Sequence, residues 1–103
     1  MAVMVNPMSE IDELHGPHAA TRQANADRIV WREADRRFAR IRVTRHTCEC
    51  RARIFELCAA GGLGWIRLTD RLGEGKTTVL ETDALPMRQA EELWWKVLFG
   101  QAR

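Results

Sequence analysis

The sequence predicts an α+β domain: a three- or four-stranded antiparallel sheet packed by one C-terminal helix, with a flexible N-terminal arm. Three observations lead there. The chain has 103 residues, 46% of them apolar and 29% charged, which is a globular balance and a length that suits one hydrophobic core. Alternating and β-branched runs separated by glycine turns fill residues 52–82. Beyond residue 83, apolar side chains recur at helical spacing as far as Gly100.

Residues 1–26 combine Asn6, Pro7, Gly16 and Pro17 with scattered acids and little apolar periodicity. Such a stretch buries too little to offset the entropy of ordering, so it reads as a disordered arm. Residues 9–14 have the composition of one helical turn, too short to persist alone. The folded domain is expected over 27–103. In 27–47 two periods compete. Val30, Ala34, Phe38 and Ile41 fall at helical spacing, whereas Ala39, Ile41 and Val43 alternate with Arg40, Arg42 and Thr44 as in a half-buried strand. An extended run over 38–44 is the better fit, and 29–33 stays open between a strand and a helical start.

Residues 52–58 are β-compatible, and Gly61, Gly62 and Gly64 punctuate the run before Ile66 and Leu68 alternate with Arg67 and Thr69. That pattern predicts a hairpin. Gly73, Glu74, Gly75 and Lys76 supply a second turn ahead of a Thr- and Val-rich strand over 77–82, completing an antiparallel meander. Asp83 is placed to cap a helix, Pro86 suits its first turn, Glu91 and Glu92 lie in its N-terminal half and Gly100 stops it. Ala90, Leu93, Trp94, Val97 and Leu98 form the stripe that covers the sheet. Trp95 and Phe99, four apart, point elsewhere and need a second neighbour, either the 27–47 segment or another chain.

The net charge of +2 is unevenly spread: −3 over 1–21, +6 over 22–53 and −1 over 54–103. The total is too small to imply nucleic acid. The series Arg36, Arg37, Arg40, Arg42, Arg45, Arg51 and Arg53 reads first as a solvated face balanced by Glu33, Asp35 and Glu49. It reads second as a partner surface, because arginine grips carboxylates and phosphates bidentately and stacks on aromatic rings. No apolar run approaches the roughly 20 residues of a bilayer crossing, and the first eight residues lack a signal-peptide layout. The expected location is the cytoplasm, where thiols stay reduced.

His46, Cys48, Cys50 and Cys58 form a cluster of soft ligands in the sequence, able in principle to surround zinc. Their spacing is poor for chelation, and Cys58 reads better as a small buried hydrophobe. Gly75, Lys76 and Thr77 resemble the end of a phosphate-binding loop. However, Asp70 stands where that motif needs its first glycine, and no helix follows. Gly61, Gly62 and Gly64 precede no helix either, which argues against a dinucleotide fingerprint. His15 and His18 flank Gly16 and Pro17 in the arm and read as solvated. No nucleophile, base and orienting acid are brought together by the pattern, so neither an enzyme nor a cofactor is expected.

Phe55 to Leu63 (Phe-Glu-Leu-Cys-Ala-Ala-Gly-Gly-Leu), then Ile66, Arg67 and Thr69, Glu81 and Thr82, Ala90, Glu91, Leu93 and Trp94, and the ending Gly100, Gln101, Ala102 and Arg103 together resemble the small BldB-like proteins of actinobacteria. The likeness covers about residues 50–103. It implies a cytoplasmic, non-enzymatic regulator of development, sporulation or gene expression that self-associates and works with helix-turn-helix transcription regulators. No catalytic or binding residues carry over from it.

The expected function is protein–protein interaction, first as a homodimer. Trp65, Trp95 and Phe99 are the candidate self-association residues, and Arg40 and Arg42 the candidates for an acidic or nucleic-acid partner. Two alternatives remain at this level: direct DNA binding through the Arg-rich segment 36–53, and a small module stabilised by zinc on His46, Cys48, Cys50 and Cys58.

Overall fold

The computed structural model describes residues 16–34, 38–73 and 75–103. The helical turn expected at 9–14, His15, Asp35, Arg36, Arg37 and Glu74 lie outside them. In chain order the elements are β1 (Arg32–Glu33), β2 (Arg42–His46), β3 (Arg53–Ala60), β4 (Leu63–Gly73), β5 (Lys76–Glu81), β6 (Leu85–Pro86) and α1 (Met87–Leu98). They form an antiparallel sheet in the order β1-β5-β4-β3-β2, with β6 paired to the start of β4 and α1 against one face. β3, β4 and β5 match the expected meander, whereas β2 overlaps the extended run expected over 38–44 only at 42–44; β1 and β6 add two residues each.

Two adjacent glycines make the central hairpin. Gly61 and Gly62 take φ of 57° and 80°, the paired positive angles of a two-residue turn whose twist matches its strands. Ala60 therefore faces Leu63, and pairing continues until Arg53 faces Asp70. The Gly75, Lys76 and Thr77 stretch belongs to the β4–β5 turn, where Gly73 faces Lys76.

Alternation along the strands sorts side chains to two faces. Phe55, Leu57, Ile66 and Leu68 pack with Ala90, Trp94 and Val97 of α1 and with Ala102, while Leu93 and Leu98 pack at the margin. The helical stripe read from the sequence is this one. On the far face Cys58, Ala60 and Trp65 form a second, smaller cluster, over which Phe38 stacks on Trp65 at 4.7 Å. Trp65 is only 1% exposed and its indole N–H donates to the Glu81 carboxylate at 2.9 Å. It is a core residue rather than the exposed aromatic its assignment to self-association supposed. Beside it Arg67 bridges Glu56 at 3.4 Å and Glu81 at 3.5 Å, so the buried Glu81 charge is both paired and hydrogen-bonded.

Three further local expectations change. Asp83 does not cap α1: the helix begins after Pro86 without a side-chain cap, and Asp83 instead meets Arg32 at 2.8 Å. The strand over 42–46 exists but is exposed along its whole length, with Ile41 and Val43 open to solvent, because β2 lies at the sheet edge. Residues 16–26 do not hang free. They run as a strap past the C-terminus of α1, where Ala20 N–H donates to the Leu98 carbonyl and Gln23 N–H to that of Gly100, both at 2.8 Å. Carbonyls that a helix end leaves without intrahelical partners are thereby satisfied, which is what holds so apolar-poor a segment.

The helix ends at Gly100, as its sequence position predicts. At φ 74° this glycine allows Gln101 N–H to reach the Lys96 carbonyl at 2.7 Å, while its own N–H reaches that of Val97 at 3.1 Å, the pair of bonds of a Schellman stop. A parallel bridge between Asp27 and Ala102 then ties the end of the strap to the C-terminal residues.

Candidate functional site

Successive residues on a helix lie about 100° apart, so with Trp94 turned to the sheet Trp95 must turn away, and Phe99 follows it one turn later. Trp94 is 1% exposed, Trp95 45% and Phe99 56%. The Trp95 and Phe99 rings stack with centroids 6.2 Å apart and an interplanar angle of 21°. From the neighbouring edge strand, Arg45 places its guanidinium 5.4 Å from the centre of the Trp95 ring, within cation–π range. Register explains its reach. Arg45 faces Leu57, whose side chain packs toward α1, so Arg45 emerges on the helix side of the sheet after the irregularity between Val43 and Arg45.

Trp95 forms the shared wall of two grooves. One, of about 550 Å³, is bounded by Pro17, Thr44, Arg45, His46, Trp95 and Leu98. The other, of about 830 Å³, is bounded by Leu85, Gln89, Glu92, Leu93, Trp95 and Lys96. Charge around this ridge is mixed: Glu91 and Glu92 are exposed in the first half of the helix, and Arg45 and Lys96 lie beside the ring. Lys96 is held to Asp27 at 2.8 Å, and that hydrogen bond raises its pKa.

Of the arginine series, Arg36 and Arg37 lie outside the described residues, and Arg40, Arg42, Arg45, Arg51 and Arg53 are all exposed. Arg53 pairs with Asp70, Arg51 lies 3.4 Å from His18 Nδ1, and the Glu49 contact is its backbone carbonyl, which accepts from Arg71. Arg40 lies exposed in the bend before β2, and Arg42 faces Ala59 on that exposed strand, on the same side as Arg45.

The four soft ligands separate. Cys58 is wholly inaccessible in the far-face cluster, and burial pushes its thiol from 9.0 to about 11. His46 Nδ1 lies 3.1 Å from the Thr47 carbonyl at the groove beside Trp95. Cys48 and Cys50 instead meet His18 of the strap: Cys50 Sγ is 3.2 Å from His18 Nε2, and the three donor atoms lie within 4.8 Å of one another. A hydrogen bond with the Cys48 side chain is the main cause raising the Cys50 thiol above its usual range. The sequence carries no signal for this meeting, because 30 residues separate His18 from Cys48 and no spacing rule links an arm to a distant strand end.

Among the described residues, no helix is long and apolar enough to cross a membrane. Comparison with protein-family models, with curated proteins and with solved structures finds no match.

Proposed function

We propose that this chain acts by binding protein rather than by catalysis, and that its first partner is a second copy of itself. The observation that carries the reading is the exposed Trp95 and Phe99 stack, laid open on a helix whose opposite face is fully packed. Tryptophan and arginine are the residues most often found as energetic anchors of interfaces, and here Arg45 already lies over the indole. The charge around the face supports the same reading. Exposed acids, Glu91 and Glu92, precede Trp95 on the helix and Arg45 lies over its ring, so the proposed two-fold pairing has opposite charges available to join across it.

Arg40 and Arg42, exposed before and on the edge strand β2, are proposed to take a partner rich in carboxylates. The BldB-like resemblance supplies the class of that partner, a helix-turn-helix regulator in the cytoplasm. The test of self-association is sedimentation of the purified chain beside a Trp95→Ser, Phe99→Ser variant. The parent is expected to sediment as a dimer and the variant to shift toward monomer with unchanged circular dichroism. An identical mass for both removes the assignment.

A further inference from the structure

We infer that His18, Cys48 and Cys50 form a zinc site that fastens the N-terminal strap to the sheet. The donor set is two sulfurs and one imidazole nitrogen, the chemistry that suits zinc and disfavours the oxygen-seeking magnesium and calcium ions. Tetrahedral zinc, with bonds of about 2.3 Å to sulfur and about 2.0 Å to nitrogen, sets its donors roughly 3.5 to 3.8 Å apart. The three atoms already lie within 4.8 Å, with the His18 and Cys50 pair at 3.2 Å. Small rotations of the exposed His18 and Cys50 side chains close the remainder.

The backbone that carries these ligands is already fixed. Cys48 N–H donates to the Pro17 carbonyl at 2.8 Å, which sets His18 beside the Cys-x-Cys turn. One residue earlier, Thr47 N–H donates to the Phe55 carbonyl at 2.8 Å and Phe55 N–H to Thr47 Oγ1 at 2.9 Å, clamping the end of β2 to β3. Two thiolates neutralise the charge of a zinc ion, and the exposure of His18 and Cys50 leaves its fourth position to solvent. Bound there, zinc closes the loop from residue 18 to residue 48 and adds its binding free energy to the docked state of the strap. This set shares only Cys48 and Cys50 with the one the spacing suggested, since His46 and Cys58 lie elsewhere.

The test is zinc content of the reduced, full-length chain after reconstitution with zinc and exhaustive dialysis, with cobalt as a spectroscopic probe. The expected result is one zinc per chain and a thiolate-to-cobalt charge-transfer band. His18→Ala and Cys50→Ser, both at exposed positions, should weaken zinc binding at least about tenfold and abolish or shift that band. His46→Ala and the Trp95→Ser, Phe99→Ser variant should keep both, which separates this site from the self-association surface. Absence of stoichiometric zinc in the parent, or zinc that survives His18→Ala and Cys50→Ser together, overturns the inference.

Discussion

Trp94 and Trp95 are neighbours in the chain, yet one lies sealed between α1 and the sheet while the other stands nearly half exposed beneath Arg45. The inner face of α1 carries Ala90, Trp94 and Val97, and the outer face carries Trp95 and Phe99 among charged residues. Hydrophobicity alone does not separate them. What separates them is phase: the inner set repeats in step with Leu57, Ile66 and Leu68 across the sheet, and the outer set is met from β2 by the Arg45 guanidinium and stays largely open. The first set therefore reports on folding, and the second is the set on which the proposed self-association rests.

The sharpest way to break this contrast is truncation of each indole in turn. Trp94→Ala removes a side chain packed against β3, β4 and Ala102 and should lower unfolding free energy by about 3 to 5 kcal/mol. Trp95→Ala, measured in the same denaturant series at a concentration where the chain is monomeric, should change it by about 1 kcal/mol or less. Equal losses would mean that the two faces have been assigned wrongly. A large loss at Trp95 that disappears on dilution would instead locate its contribution in the dimer.

A smaller effect is expected at the strap. Alanine at Gly100 must hold φ near 74°, and its Cβ would run into the Thr21 carbonyl, so Gly100→Ala should cost about 1 to 3 kcal/mol. Hydrogen exchange would show where the loss falls. The Ala20 and Gln23 amides, bonded to Leu98 and Gly100, should lose protection before the Ile66 amide, which is bonded to Thr82. Loss of protection at all three in parallel would mean that the strap is part of the global folding unit, no more separable than the inner face of α1.

Much of the sheet and the helix was legible because its signals are local. Gly61 and Gly62 announce a two-residue turn, the Thr and Val run announces β5, and the spacing of Ala90, Trp94 and Val97 announces the buried helical face. The exposed pair Trp95 and Phe99 was legible by the same rule, as the apolar residues left over. What escaped depends on distant partners. Trp65 looked available until Phe38, 27 residues earlier, covered it and Glu81 accepted its N–H. The strap escaped because it docks through backbone hydrogen bonds, which leave no apolar period in the sequence. His18 escaped with it. Asp83 carries a capping residue's chemistry, but its ion pair with Arg32 across the sheet edge won.

The same division between covered and open positions extends to sulfur. Burial raises the Cys58 thiol from 9.0 to about 11, with Glu56 and Glu81 adding to the rise and Arg67 opposing it. Between those values the folded chain keeps a proton that the unfolded chain has released. The contribution to stability is therefore fully present below pH 9 and is lost as the pH climbs through about 11. Other groups also titrate in this window, so the useful quantity is the difference between the parent and Cys58→Ala. The variant loses packing at every pH, but its stability should fall by about 1 to 2 kcal/mol less than the parent's between pH 8 and pH 11. Iodoacetamide labelling of the zinc-free chain gives the matching kinetic result: Cys50, at the surface, should react in the native state, whereas Cys58 should react only on unfolding. Parallel stability curves, or native labelling of Cys58, would show that the far face of the sheet opens to solvent, and the second cluster around Trp65 would then be no core.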